Sequence, residues 1–355
     1  MKAWLELTAT GVYTSIQDRG RPGFRRIGVP ASGVLDPALM QIANTLAGNS
    51  ADHPVVECYD GGQCLAAVGG SVRIAVAGSA RLELIRGDER VTLAAWRSVT
   101  LAPGERLRVV SIGPGRLAMI AIQGLKLVPV LGSCSTYSRA ALGGLAGRAL
   151  SAGDQLPVAT DVPDGRELEL PAPWTTEDRP IRVVPGPQFD HFGDAGLATL
   201  LAGDYRVGTA SDRMGIRLEG PAIAHLPGMD SEIVSDAIVP GAIQVPGNGQ
   251  AIALLADAQT AGGYPKIATI ISADLDRVAG KPPGASIRFT AVSAAEGVTA
   301  ARDSAQRLAR AIQSIRPCAP DSGQSIDIDA LYRSNLVSGV VDAARSGGAQ
   351  PDMTE

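Results

Sequence analysis

The sequence predicts a mainly β protein: two tandem β-rich domains with a few peripheral helices. Three observations carry this reading. Short apolar runs between Val55 and Val110 recur at roughly ten-residue spacing, and glycine-bearing turns separate them. A second series fills Ile181–Thr290, cut by GNG, AGG and YP. The 355 residues include 42 glycines and 24 prolines, enough punctuation for many turns.

In chain order, Ala3–Ala9 alternates as a first strand should. The stretch TSIQDRGRPGFRRIGVPASGVLD that follows is polar and basic, with Arg19, Arg21, Arg25 and Arg26 close together, and is expected to be a long ordered loop. Asp36 before Pro37 has the form of a helix N-cap. Leu39, Ile42, Ala43 and Leu46 continue at helical spacing, and Gly48 stops the run. Strands are then expected at Val55–Tyr59, Gln63–Ala67, Ser71–Ala77, Arg81–Ile85, Glu89–Leu93, Ser98–Leu101, Arg106–Val110 and Met119–Ile122, the pattern of a sandwich or barrel and not of βαβ units. GSCSTYSRAALGGLAGRAL follows as a second loop, placing Ser133, Ser135, Thr136, Tyr137 and Arg139 near glycines.

A boundary is expected in the proline-bearing, acidic span Ala159–Arg179, which gives an N-terminal domain over residues 1–165 and a second over 180–295. In the second, strands are expected at Ile181–Val184, Tyr205–Val207, Ile216–Leu218, Ile233–Val234, Ile243–Val245, Ile252–Leu255, Ile267–Ile271 and Ser286–Thr290, with a short helix at Asp194–Leu201. Residues 300–355 read as a helical extension. Ala305, Leu308, Ala311, Ile312 and Ile315 stripe a helix over Arg302–Ile315, a further helix is expected at Asp327–Ala344, and the tail reads as disordered.

Composition removes several function classes. A net charge of −4 argues against a general nucleic-acid binder. Four scattered cysteines without a CxxC and three separated histidines give no zinc spacing and suit a reducing, cytoplasmic compartment. No secretory leader or membrane-length apolar run is read. GxxxxGK[ST] and GxSxG are absent, and neither GGSVRIAVAGS nor GPGRLAM has the order of a nucleotide-binding glycine fingerprint. His191, in PQFDHF, is the histidine nearest a polar loop.

What remains suits the binding of carboxylates, amides or ureido groups, and it concentrates at turns between Ser211 and Ala273. Arg21, Arg213 and Arg217 offer planar forks to an anion. Gln17, Gln244, Gln250 and Gln259 can read an amide. Asp257 and Lys266 are candidates for acid–base work and for stabilising developing negative charge, with Arg213 holding the anion beside them. Tyr264 follows Gly262 and Gly263 as an aromatic wall. Asp18 with Arg21, and Asp212 with Arg213, read equally as structural ion pairs. One shared pocket between the Gln17–Arg21 loop and the Asp212–Arg217 and Gln244–Lys266 segments is the expected arrangement. No metal ligands are expected, and the residues do not indicate a cofactor-binding set.

On these motifs the chain resembles a known family. SIQDRGRPGFRRIGVPASGVLD, LGSCSTYSRAALGG, VVPGPQFDHF, SDRMGIRLEG, PGAIQVPGNGQAIALLADAQTAGGYPKIATIISADL and PPGASIRF are similar to the family described as the 5-oxoprolinase C subunit, KipA-like, or allophanate hydrolase subunit 2, and to the biotin-dependent carboxyltransferase domain of urea carboxylase. The resemblance implies a cyclophilin-like β-barrel in the second domain and a hydrolase subunit inactive alone. It implies a KipI-like subunit-1 partner and a LamB/YcsF-like third subunit, in a hetero-oligomer that opens 5-oxo-L-proline to L-glutamate with ATP. The alternatives it implies are a carboxyltransferase subunit acting on urea or a related amide, with biotin carried by another polypeptide, and a noncatalytic regulator of a KipI-like protein.

Overall fold

Three large sheets form because apolar runs buried on both faces must find neighbours on both edges. Leu117–Ile122 (LAMIAI) is buried at every position and pairs antiparallel with Val55–Tyr59 on one side and Val72–Ala77 on the other. These are inner strands of a seven-stranded sheet ordered Tyr13–Gln17, Val55–Tyr59, Leu117–Ile122, Val72–Ala77, Arg97–Leu101, Leu168–Glu169 and Arg316–Pro317. A six-stranded sheet runs Gln155–Pro157, Trp4–Ala9, Cys64–Val68, Arg106–Ile112, Ala80–Arg86 and Glu89–Ala94. Leu5, Leu7, Leu65 and Leu107 of this sheet share one apolar core with Val56, Ile74 and Ile120 of the other. This is a computed structural model, and it describes residues 3–159, 163 and 165–318.

The third sheet is a nearly closed barrel. Its eight strands are ordered Ser286–Ile287, Tyr205–Val207, Gly215–Glu219, Ile252–Leu254, Ala242–Gln244, Lys266–Ile270, Ile181–Pro185 and Phe289–Ala291. The run expected as a single strand at Ser286–Thr290 is in fact divided at Arg288, and its halves pair with opposite edges of the sheet. Two consecutive pieces of chain thus bring the sheet's ends together, which removes most of the exposed edge. The expected strand at Ile233–Val234 is absent. Val234 is almost fully exposed, and the neighbouring Asp236–Ala237 pairs instead with Ala261–Gly262.

Helix α1 covers Pro37–Ala47 and packs on Leu117–Ile122 and Val72–Ala77. Its caps follow the sequence signals: the Leu39 amide donates to Asp36 Oδ1 (2.9 Å), and Gly48 closes it at φ 81°. Gly193–Ala202 (α2) and Leu275–Ala279 (α3) are shorter. The helix expected from Arg302 begins earlier. α4 spans Ala294–Gln313 because Ser293 and Glu296 make a reciprocal capping box, a signal present in the sequence as S-x-x-E. Leu308, Ala311 and Ile312 of α4 lie against the core, and Arg307 stacks 4.1 Å from the Trp174 ring centre. The strand at Tyr13–Gln17 was also hidden, inside the expected loop, by its polar side chains. The expected helix at Asp327–Ala344 and the tail lie outside the described residues. Through Pro317 the chain is one compact unit, and among the described residues no helix is long and apolar enough to cross a membrane.

The α1 cap carries a charge problem. Burial, then the Asp276 carboxylate, push the Asp36 carboxyl up to about 8, against the pull of the Leu39 and Ala38 amides. Between its ordinary value of 3.8 and about 8 the folded chain holds a proton that the unfolded chain has released. Stability from this group is therefore present at low pH and is lost as pH rises through that window. Asn caps as well as Asp without the charge. Asp36→Asn should therefore raise the melting temperature at pH 8 by roughly 2–4 °C for each kcal/mol recovered, and flatten its fall between pH 5 and 8. An unchanged pH slope in calorimetry would refute the account.

Candidate functional site

The first polar cluster forms where the Tyr13–Gln17 strand ends. Asp18 Oδ1 accepts from the Ser133 and Ser135 hydroxyls (both 2.6 Å) and from the Gly20 amide (2.8 Å), while Oδ2 accepts from the Cys134 amide. One carboxylate thus stitches together two loops far apart in sequence. Arg21 lies beneath them with no exposed surface, donating through Nη2 to the Ser135 carbonyl, and its Nε and Nη1 have no partner. Burial pulls its pKa down, and Asp18 and then Asp257 resist. Gly143, at φ 67°, is required here, since a Cβ would sit 2.1 Å from the Ser135 carbonyl oxygen. Gln17 is also buried, donating to Ser15 Oγ (2.9 Å) and the Thr136 carbonyl (3.2 Å).

Arg213 is the second centre. It follows the turn in which Asp212 Oδ1 accepts from the Met214 (2.8 Å) and Gly215 amides, so the chain enters the Gly215–Glu219 strand with the guanidinium turned inward. Its Nε donates to Asp257 Oδ2 (2.9 Å), Nη1 to Glu57, and Nη2 to Asp257 Oδ1 (3.3 Å) and the Gly33 carbonyl. Burial works against the Arg213 charge, but Glu57 and Asp257 outweigh it and raise its pKa. With one cation between two carboxylates, burial leaves Glu57 above the ordinary range although Arg213 and the Leu35 amide oppose the shift. Arg213→Ala would strand two buried carboxylates, a loss of about 3–5 kcal/mol. Chemical denaturation should show it, and a loss below ~1 kcal/mol would remove Arg213 from its structural role.

Above this triad opens a cavity of about 320 Å³, lined by Tyr13, Tyr59 and Tyr137, by Arg116 and Arg139, and by Asp212, Arg213, Met214 and Asp257. Tyr13 and Tyr59 face each other in register across paired strands and meet edge to face, ring centres 6.1 Å apart. Arg116 lies 4.6 Å from the Tyr59 ring centre and donates through Nη2 to Asp60 (2.7 Å). The Tyr13 hydroxyl reaches Ser138 Oγ (3.2 Å), which ties the turn bearing Arg139 to the wall. Burial, then the Glu57 charge, hold the Tyr59 hydroxyl well above the usual phenol range, so it remains a hydrogen-bond donor.

A third cluster lies around Lys266. The side chain is buried, and Nζ donates to Asp236 Oδ2 (2.9 Å), which also accepts from Gln188 Nε2 (3.1 Å). Gln244 pairs with Lys266 across the barrel sheet and donates to the Tyr264 carbonyl (3.2 Å). A Cβ on Gly262 would lie 2.9 Å from Gln244 Nε2 and 3.4 Å from Gln259 Nε2, so these two amides converge there. Arg25 crosses to this region, donating to the Ile238 and Gln259 carbonyls.

Of the residues singled out by sequence, Arg213 and Asp257 touch each other and line the cavity together with Asp212. Gln17, Arg21, Arg217, Gln244, Gln250, Gln259, Tyr264 and Lys266 do not line it. Arg21 stands within electrostatic range of Asp257, whereas Arg217 and Gln250 are exposed and Tyr264 is partly so. His191 contacts the Asp230 carbonyl (3.2 Å). Sequence reasoning missed Tyr13, Tyr59 and Arg116 as wall residues. Arg116 sits in the GPGRLAM turn, whose only visible signal was a failed glycine fingerprint. Among the described residues no group of three His, Cys, Asp or Glu side chains could hold a metal ion.

Comparison with known proteins gives this arrangement its family. The family model for the carboxyltransferase domain, subdomain A and B, matches residues 27–291. The chain is 36% identical over 310 residues to the 5-oxoprolinase C subunit of Escherichia coli K12, covering 84% of this chain and 94% of that protein. The Haemophilus influenzae protein of the same name is 36% identical over 283 residues, covering 79% of this chain and 89% of its own. The crystal structure of K. lactis urea amidolyase superposes with a TM-score of 0.77 at 27% identity over 88% of this chain, which spans only 20% of that much longer one. The chain belongs to the carboxyltransferase-domain family, in the branch that resembles the 5-oxoprolinase C subunit.

Proposed function

We propose that the chain is one subunit of an ATP-dependent 5-oxoprolinase, inactive alone, which converts 5-oxo-L-proline to L-glutamate with a KipI-like and a LamB/YcsF-like subunit. The observation that carries this is the near end-to-end coverage of relatives bearing that subunit's name. In the reaction the lactam C–N bond breaks, water supplies the oxygen of the new side-chain carboxylate, and the ring nitrogen leaves as the α-amino group. ATP, bound in the assembled complex, is cleaved to ADP and phosphate and drives an opening that the unstrained amide resists.

Within this chain, Asp257 is the orienting or acid–base group, fixed by two contacts from Arg213. Arg213 supplies a charge that cannot turn away. Lys266, Gln244 and Gln259 belong to a separate cluster that does not line the cavity above Arg213. There Lys266 stabilises negative charge on oxygen as it builds, where a preorganised donor contributes most, with the two glutamines as its amide-reading partners. A carboxyltransferase subunit acting on urea or a related amide is the second reading. The domain match and the urea amidolyase superposition favour it, with biotin carried by another polypeptide.

Co-expression with both companions should give a complex that co-elutes on size exclusion and releases glutamate from 5-oxo-L-proline only with ATP. Carboxybiotin-dependent transfer without glutamate release would sink the first reading in favour of the second. In the active complex Lys266→Ala should cut turnover tenfold or more, about the loss expected for one transition-state donor, with assembly unchanged. Wild-type turnover in that variant would remove Lys266 from the mechanism.

A further inference from the structure

The arginines of the barrel domain that sequence nominated to hold an anion are not disposed to do so. Arg213 spends its fork on Glu57, Asp257 and the Gly33 carbonyl, and Arg217 is exposed and does not line the cavity. Two other guanidinium groups do line the cavity. We propose that Arg116 and Arg139 form a carboxylate subsite at the tyrosine-walled cavity, and that its ligand is a compact organic acid recognised through its carboxylate.

Arg116 is held in place by two contacts and still has one accessible donor, Nη1, to offer among the described residues. It is 9% exposed, its face rests on the Tyr59 ring, Nη2 is paired to Asp60, and Nε is buried without an acceptor. Asp60 is itself fixed, because its amide donates to the Arg116 carbonyl (2.9 Å). A guanidinium immobilised before the ligand arrives loses little entropy on binding. Arg139 stands at the rim on the Ser138–Ala140 turn and has no ion pair among the described residues. The Tyr59 hydroxyl, kept protonated, adds a donor to the same wall.

The size of the cavity restricts the body of the ligand. About 320 Å³ lies near the lower limit of the roughly 300–1,000 Å³ usual for ligand pockets. The space suits one small ring or short chain and not a nucleotide. Three tyrosines and Met214 offer that body apolar surface. A five-membered lactam bearing one carboxylate has this form, and for that choice of ligand the inference rests on the 5-oxoprolinase reading. The carboxylate subsite itself does not.

Calorimetric titration of the full chain with 5-oxo-L-proline, its carboxamide and 2-pyrrolidinone tests the subsite. Charge-assisted hydrogen bonds are stronger than neutral ones, so the acid should bind at least about tenfold more tightly than its amide. Arg139→Ala should weaken the acid about fivefold or more and leave the amide unchanged. Arg116→Gln should abolish the preference for the acid. Should Arg116→Gln fail to fold, the exposed Arg139→Ala and the wild-type acid-to-amide ratio decide the question. Equal binding of acid and amide, no binding by any of the three probes, or wild-type discrimination in both folded variants would overturn the proposal. Acid-selective binding without ATP-dependent glutamate release in the reconstituted complex would leave the subsite standing and remove the 5-oxoprolinase reading. Glutamate release with equal acid and amide binding would do the reverse.

Discussion

The structure depends on one buried guanidinium. Arg213 reaches Glu57 on an inner strand of the seven-stranded sheet, the Gly33 carbonyl in the loop before α1, and Asp257 at a turn of the barrel. An apolar core is non-directional and tolerates small slips between its layers. A guanidinium among fixed acceptors does not, because its donors are satisfied in one relative position only. Buried ion pairs are weak contributors to net stability, since desolvation opposes the attraction. The role that fits Arg213 is to set how the sheet and the barrel meet, and the cavity is a consequence of that registration. Glu57 and Tyr59 lie two residues apart and share a strand face, and Tyr13 stands opposite Tyr59 in register. The face that pins the sheet to the barrel therefore also walls the site.

Much of this architecture was legible in the sequence, for a physical reason. Strands buried on both faces are continuous apolar runs, and runs such as LAMIAI are visible without a partner. The α1 boundaries were visible because their caps are local: Asp36, Pro37 and Gly48 act within a turn of their own positions. Tyr13–Gln17 failed the same test because its partners are distant. Its polar side chains are buried, Gln17 donating to the Thr136 carbonyl and Thr14 accepting from Gln63, and composition read them as solvated loop. The division of Ser286–Thr290 failed for a related reason, since barrel closure is a property of the whole sheet and leaves no mark on five residues.

The site was legible by residue type and not by role. Sequence shows that a guanidinium is present but not how much of it is already engaged. Arg21, Arg213 and Arg217 look alike on paper. In the fold one is buried beneath a loop with two unpartnered nitrogens, one is engaged by two carboxylates, and one is exposed to solvent. The cavity collects side chains from positions 12–13, 59, 116, 137–139, 211–214 and 257, which no local window unites. Tyr137 and Arg139 stood out in the second glycine-rich loop, but nothing in that loop indicated that Tyr13 and Tyr59 would form the wall beside them.

The Lys266 cluster and the Arg213 triad are joined by a single stretch of chain, Asp257–Lys266, which contributes to both. That stretch is clamped along its length. Arg25 donates to the Gln259 carbonyl, the Ile238 amide donates to the Thr260 carbonyl (3.0 Å), Ala261 and Gly262 pair with Ala237 and Asp236, and the Ile233 amide donates to the Gly263 carbonyl (2.7 Å). A segment held at so many successive positions does not behave as a lid, because opening it would break several backbone hydrogen bonds together. Its work is to fix spacing. Asp257 and Lys266 are carried at opposite ends of one braced segment, so whatever chemistry they share must be performed across a distance the fold has already set.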